Sequence, residues 1–415
     1  MTRSGVVPEA RQKAAWTPLF SGLLAPARWK PGRPAIVAAV ERVEVAVVGS
    51  GLLGSATARA LGARGVSAVV LEQFGLGHAR GSSHGATRIF RLSYPDPAYV
   101  RMACSALGAW ARLQDDAGEQ LLVKTGGLDT GPGAMRCAAA LRRRAVAHSW
   151  LSASQVRERF PGIEPRPGER MLFQPDAGVC LAGPAVAALQ RLARRDGVPI
   201  RPHTPVLGIG HRGDRVVLRT PAGEISAGVA VIAAGPWSER LLAGTLPRVP
   251  RMTVTLQQVR YFRPADAGGT RWPTLVEWSS ADLIWYAVPM TGGAPGVKVA
   301  THVRGRAVDP GDGPFDGIDP ALDDQAARYV RTRLPGLEPA PLAPETCLYT
   351  MTADQDFVLD REGRVVVAAG CSGHAFKFGP LLGDVLADLA LGGGTGTVHP
   401  RFSLSRPALA TAPPA

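Results

Sequence analysis

Residues 43 to 54 read Val-Glu-Val-Ala-Val-Val-Gly-Ser-Gly-Leu-Leu-Gly, an apolar strand that runs straight into G-x-G-x-x-G. The three glycines have separate physical tasks. Gly49 allows the tight turn, Gly51 lets backbone N–H groups approach a pyrophosphate, and Gly54 lets the following helix pack on the strand. Working outward, Ser55 to Arg64 has helical spacing, Gly65 punctuates it, and Val66 to Leu71 is a second strand that ends at Glu72. That acid falls roughly 20 residues past the glycines, where the ribose 2′-hydroxyl of a dinucleotide is met. A bare glycine signature means little in a chain with 49 glycines. Strand, glycines, helix, strand and acid in register predict a Rossmann-type dinucleotide-binding domain.

Further along, the spacing predicts helices over Ala98 to Gln114 and Pro184 to Arg195, and a short helix opened by the capping box Ser152-Ala-Ser-Gln155. Strands are predicted over Arg215 to Arg219 and Gly228 to Ala233, the latter ending in Ala-Gly235-Pro-Trp, small residues suited to passing a bound cofactor. Alternating runs at Val254 to Phe262 and Leu283 to Val288 predict an antiparallel sheet. A parallel-type strand returns at Val365 to Ala369, followed by a helix over Gly383 to Leu391. The fold class is therefore α/β with an α+β part, a Rossmann-type domain interleaved with an antiparallel-sheet domain. The first is drawn from residues 43–125, 184–245 and 345–405, the second from 126–183 and 246–344.

The 415 residues allow two domains and a large core. No run approaches the roughly 18 consecutive apolar residues of a membrane span. The net charge of +13 comes almost wholly from arginine, with only five lysines, and the basic residues are dispersed. Nucleic acid would call for a basic stripe with aromatic partners, and none is evident. The five cysteines show no metal-ligand spacing, so no metal site is expected and a reducing cytoplasm fits. Residues 1–42, with seven Lys/Arg, two Glu and several prolines, read as a disordered extension without a secretory pattern, and 406–415 as a tail.

Four motifs carry chemistry. Gly81-Ser-Ser83-His84-Gly-Ala86-Thr-Arg88-Ile-Phe-Arg91 is a small-residue loop with fixed planar donors for carboxylate or phosphate; its other reading is a solvated basic loop. Trp285-Tyr286 precedes Gly296-Val-Lys298-Val-Ala-Thr-His302. Taken alone, Lys298 in its apolar strand reads as an edge residue facing water, with a buried functional cation as the other reading. Glu345-Thr-Cys347-Leu-Tyr349-Thr follows, and then Ser372-Gly373-His374-Ala-Phe-Lys377-Phe. Finding two of five lysines inside such motifs favours a use for both.

Together these motifs resemble the monomeric sarcosine oxidase family of flavoenzymes, which includes N-methyltryptophan and L-pipecolate oxidases within the D-amino-acid-oxidase-like superfamily. The resemblance runs from about Val43 to Pro407. It implies FAD, held covalently by the Cys347 thiol on the flavin 8α-methyl carbon, with Gly49, Gly51, Gly54 and Glu72 on the ADP half. It places Ser83, His84, Arg88, Gly235 and Gly373 along the cofactor and Val206 on the adenine side. Arg91 and Lys377 would grip the substrate carboxylate, Tyr286 and Tyr349 would line the cavity, and His302 would lie beside it. Lys298 would face flavin N5 through water and promote reaction with oxygen. The implied activity is oxidation of the C–N bond of a secondary or cyclic amino acid, giving an imine and hydrogen peroxide, by a monomer or weak oligomer.

The chain also departs from the family pattern. Ala86 stands where an acid is common, Gln257-Gln258 where Arg-Gln is usual, and Trp285 where tyrosine is common; the tip between Tyr286 and Lys298 is about one residue longer. These changes leave the flavin motifs intact and bear on the substrate, and the Ser82-Ser83-His84 form leans toward pipecolate-type or imino-acid substrates. Rival readings are a tailoring oxidase that desaturates a cyclic imino acid, a dehydrogenase using another acceptor, a nicotinamide enzyme sharing only Gly49 to Glu72, and a non-catalytic flavin-binding protein.

Overall fold

The run at the head of the glycine turn is a strand, Glu41–Val48, whose last four residues are buried. The computed structural model describes residues 40–266, 271–280, 283–291, 293–303, 305–315, 317–342, 344–392 and 399–411. Glu41–Val48 lies parallel to Ala68–Leu71 on one side and to Gly223–Ile232 on the other. Gly223–Ile232 is shared along its length: residues 223–227 pair antiparallel with Arg215–Thr220, and residues 230–232 pair parallel with Val365–Ala369. The C-terminal strand thus completes a sheet begun more than 300 residues earlier in the chain. With Ile200–Arg201, Gly208–Arg212 and Val358–Glu362, this sheet has eight strands among the described residues.

Two glycines fix how the turn closes. Gly49 sits at φ +96°, where a Cβ would lie 2.5 Å from the Ala233 carbonyl oxygen. A Cβ on Gly54 would lie 1.9 Å from the Gly49 oxygen, so only a bare α-carbon lets the helix settle onto the turn. That helix, Leu52–Gly62, begins at the turn itself, three residues earlier than the spacing predicts. It is sandwiched between the sheet and the helices Ala182–Arg195 and Gly379–Ala390. The core there includes fully buried Leu61, Phe90 and Trp110, each contributing about 1.5–3 kcal/mol or more by burial.

The second sheet has nine strands among the described residues and draws on both interleaved segments. Thr274–Trp278 from one segment pairs with Gly127–Thr130 from the other, and this junction is parallel in an otherwise antiparallel sheet. Thr253–Pro264 is its long strand. One end pairs with Val297–His302, and residues 253–259 pair with Glu345–Met351. Sequence order had grouped 345–351 with the C-terminal part of the parallel domain, yet its strand hydrogen bonds go to the antiparallel sheet. A three-stranded sheet of Thr87–Phe90, Gly178–Leu181 and Leu122–Lys124 is the remaining layer among the described residues.

At the ends of the chain, residues 1–39 and 412–415 lie outside the described residues. Glu41 and Arg42, assigned to the extension, belong to the first strand, and Glu41 pairs with Arg201 at 2.6 Å. Within the expected tail, Leu409 is buried and Arg406 is anchored on Asp354 and on the Phe357 carbonyl.

Candidate active site

Strand alternation brings the motif residues onto one cavity. Thr87–Phe90 delivers Arg88, and Arg91 follows it; Ile284–Val288 delivers Tyr286; Val297–His302 delivers Lys298 and His302. Glu345–Met351 delivers Cys347 and Tyr349 from one face, while Gly373 and Lys377 come from the loop after Val365–Ala369. The space these residues line, counting the part open to solvent, is about 830 Å³, and Val276, Ile284 and Val288 make one wall aliphatic. Tyr349 passes so close to Gly373 that a Cβ there would lie 2.2 Å from its ring, and Gly373 sits at φ +75°.

Arg91 and Lys377 approach the same aromatic ring. The Arg91 guanidinium lies 4.3 Å from the Tyr94 centroid and 5.3 Å from that of Trp278, donates to the Ser93 carbonyl, and is 4.0 Å from the buried Asp129 carboxylate. Lys377 Nζ donates to the Tyr94 hydroxyl at 2.9 Å and to the His374 carbonyl at 2.8 Å. Burial, followed by the charge of Arg91, holds the Lys377 pKa well below that of an ordinary lysine. A bound anion would reverse that pull.

Lys298 is 4% exposed, so the edge reading fails. The sheet continues on both sides of its strand, and Nζ donates to the Thr87 carbonyl at 3.0 Å. Burial and then Arg88 lower its pKa to about 8, against Glu345 and Cys347, which raise it. For His302, burial and then Arg91 and Lys377 lower the pKa to about 4, so its imidazole is neutral at physiological pH. Burial pushes the Cys347 thiol up, partly offset by Arg88 and Lys298. It also raises both tyrosines, Tyr286 and Tyr349, which lie close enough to influence one another.

The remaining expected residues lie off the cavity, around the glycine turn and its approach. Glu72 is buried and accepts from the Ser50 N–H at 2.8 Å, the Ser50 hydroxyl at 3.1 Å and the Phe74 N–H at 2.9 Å. Burial alone would raise its pKa, but hydrogen bonds led by that of His78 outweigh it and keep the carboxylate ionised. Ser83 accepts from the Leu52 N–H at 3.0 Å and so docks the small-residue loop on the helix N-terminus. His84 meets the Thr346 carbonyl at 2.9 Å, and Arg88 donates to the carbonyls of Thr87, Ser82 and His84. The loop is therefore a folded wall and not a solvated basic segment. Val206 packs on the parallel-sheet core, and Gly235 sits at φ +53° just past the Gly223–Ile232 strand.

The site suits a flavin dinucleotide on its own chemistry. A helix N-terminus meets a turn of glycines, and His84 Nδ1 and Thr87 Oγ1 are buried without a hydrogen-bond partner. Among the described residues no cluster of His, Cys, Asp or Glu could hold a metal, and no helix is long and apolar enough to cross a membrane. The motif reading passed over Glu345, Tyr94 and Asp129. Glu345 was detectable, since a residue two before Cys347 in a strand shares its face. Trp285, by the same alternation, faces away from the cavity and stacks on Tyr329 at 4.2 Å, so this departure does not touch a substrate directly.

The profile of the FAD dependent oxidoreductase family matches residues 44–389. Peroxisomal sarcosine oxidase of Homo sapiens is 34% identical over 358 residues, covering 83% of this chain and 91% of that protein. Monomeric sarcosine oxidase of Streptomyces avermitilis is 34% identical over 388 residues, covering 89% and 98%. Among solved structures, the open form of NikD, an unusual amino acid oxidase essential for nikkomycin biosynthesis, superposes with a TM-score of 0.78 at 27% identity, covering 88% of this chain and 98% of that one.

Proposed function

The chain belongs to the FAD dependent oxidoreductase family, and from that premise we propose that it oxidises the C–N bond of a secondary or cyclic amino acid with oxygen as acceptor. The observation that carries this reading is the convergence of Arg91 and Lys377 on Tyr94, beside a cavity that also holds Lys298, Cys347 and paired tyrosines. Bound FAD would accept a hydride equivalent from the substrate and hand two electrons to oxygen, giving hydrogen peroxide. The rest belongs to this chain. Arg91 and Lys377 hold the carboxylate by charge-assisted hydrogen bonds and so fix the α-carbon in place. Neutral His302 and the protonated phenols of Tyr286 and Tyr349 surround the amine without adding charge. The wall of Val276, Ile284 and Val288 excludes water and takes the apolar part of the substrate.

Gly49, Gly51 and Gly54 would receive the pyrophosphate, Glu72 the ribose, and Val206 and Gly235 the adenosine side. Ser83, His84, Arg88 and Gly373 would lie along the flavin half, with Cys347 attached to it covalently. Lys298 would sit as a cation beside the ring, where it favours reduction of oxygen. The domain division is proposed as 43–125, 184–245 and 345–405 for the cofactor half and 126–183 and 246–344 for the substrate half. A monomer or weak oligomer in a reducing cytoplasm accords with the five free thiols. The likeness to NikD, an unusual amino acid oxidase essential for nikkomycin biosynthesis, supports a second reading as a biosynthetic tailoring oxidase, for which we propose a cyclic imino acid as substrate.

An anaerobic screen of the purified protein against N-methyl, cyclic and D-amino acids tests the reading. Flavin bleaching by secondary amino acids, with peroxide formed when air is readmitted, is expected. No bleaching by any member would overturn it, and bleaching without peroxide would point to another electron acceptor.

A further inference from the structure

Glu345 is the sole acid among the described residues that line the cavity, whose lining also holds the cations Arg88, Arg91, Lys298 and Lys377. Its place is built from several sides. Tyr261 stands directly across from Lys298 in the neighbouring strand, with Lys298 Nζ 5.3 Å from its ring centroid. The Tyr261 hydroxyl donates to Glu345 Oε2, so one phenol touches both the cation and the carboxylate. On its other side Glu345 Oε1 reaches over Gly85, where a Cβ would lie 2.4 Å away, and comes within 3.7 Å of His84 Nε2. That nitrogen also meets the Thr346 carbonyl, which fixes the proton on it.

We propose that Glu345 is a positioning residue for reaction with oxygen: held over Gly85 by Tyr261, its carboxylate keeps the Lys298 side chain an ammonium ion at neutral pH. The groups acting on Lys298 come from several elements around it, while the paired strand Ile284–Val288 sets uncharged Val288 across from it. Arg88 belongs to Thr87–Phe90, Tyr261 to Thr253–Pro264, Glu345 and Cys347 to Glu345–Met351, and His84 to the loop. Arg88 adds positive charge and spends its donors on carbonyls. The Cys347 thiol is pushed up by burial and carries no formal charge at neutral pH. Glu345 itself stays ionised because the hydrogen bond from the Tyr261 hydroxyl, with the charges of Lys298 and Arg88, outweighs its burial. Without it, Lys298 would face burial and Arg88 with no formal negative charge beside it.

The chain has five lysines, so lysine labelled with 13C at Cε gives a spectrum simple enough to titrate in the intact holoenzyme, with Lys298→Met assigning the resonance. The wild-type midpoint is expected near 8, and Glu345→Gln should lower it by about one unit or more, as loss of one nearby opposite charge does. Adding Ala86→Asp to Glu345→Gln should restore it, because residue 86 packs against the small apolar cluster that contains Tyr261. An unchanged midpoint in Glu345→Gln overturns the proposal. A shift that Ala86→Asp leaves in place marks a packing effect and overturns it too. If Glu345→Gln does not fold, Tyr261→Phe frees the carboxylate from its anchor and should move the midpoint the same way by less; no movement overturns the proposal. The consequence for oxygen rests on the role proposed for Lys298, and the two fail separately: reoxidation unimpaired in Lys298→Met removes that role while the titration stands.

Discussion

Lys298 stands between the buried Val297 and Val299 in its strand, and the role proposed for it is that of a fixed positive charge where electrons leave for oxygen. Removing that charge while keeping a long unbranched side chain isolates the effect. Lys298→Met is expected to slow reoxidation by oxygen by at least about tenfold while flavin reduction by substrate changes much less, as measured by stopped-flow on the separate half-reactions; equal slowing of both would remove Lys298 from the oxygen step. Because its pKa lies near 8, wild-type reoxidation should also fall as pH rises through that value. His302 gives a pH effect of a different kind. Its folded-state pKa of about 4 lies below its ordinary value of 6.5, so between these the unfolded chain binds the extra proton. Stability contributed by neutral His302 is whole above about 6.5 and is lost as pH falls toward 4. The stability of His302→Gln relative to wild type should therefore improve as pH falls through that window in denaturant titrations, and a pH-independent difference would refute the shift.

Elements bring these residues together, and the elements differ in how plainly the chain announces them. The strand, glycine turn and helix at Glu41–Gly62 were legible because their pattern is contiguous in sequence: Gly54 answers the Gly49 carbonyl five residues back, and Gly49 the end of the neighbouring strand at Ala233. Burial of Lys298 was not legible from its strand, because a strand's place in a sheet depends on partners remote in sequence, here Ile284–Val288 and Thr253–Pro264. The anchoring of Arg91 was hidden for the same reason, since Asp129 and Trp278 reach it from two other strands. Cys347 was found through its motif, and the alternation that puts Tyr349 beside it also exposes Glu345. Gly373 tests how the loop and the cysteine-bearing strand depend on each other. Gly373→Ala places a Cβ 2.2 Å from the Tyr349 ring at a positive φ, so Tyr349 must move. A loss of about 1–3 kcal/mol of stability is expected in denaturant unfolding, together with a raised KM. An unchanged KM would show that Tyr349 does not shape the substrate side of the cavity.

At the scale of the whole molecule, the cavity is assembled by strands from more than one sheet, and the same arrangement governs how cofactor and fold support one another. The turn at Gly49 belongs to the parallel sheet, whereas Cys347 hangs from Thr253–Pro264 in the other. A dinucleotide spanning both would tie the sheets together, and a thioether at Cys347 would make the tie permanent. A ligand held only by equilibrium stabilises the folded state by RT ln(1 + [L]/Kd), about 2.7 kcal/mol at a hundredfold excess over Kd, and that contribution disappears on dilution. A covalent cofactor has no such dependence. Cys347→Ser should accordingly bind FAD reversibly, lose its yellow colour on acid precipitation, and melt at a temperature that rises with added FAD. Wild type should keep the colour in the pellet and melt at one temperature whatever FAD is added. If wild type releases its flavin into the acid supernatant, or its melting responds to FAD as that of Cys347→Ser does, the two sheets are joined by binding alone and the attachment at Cys347 does not exist.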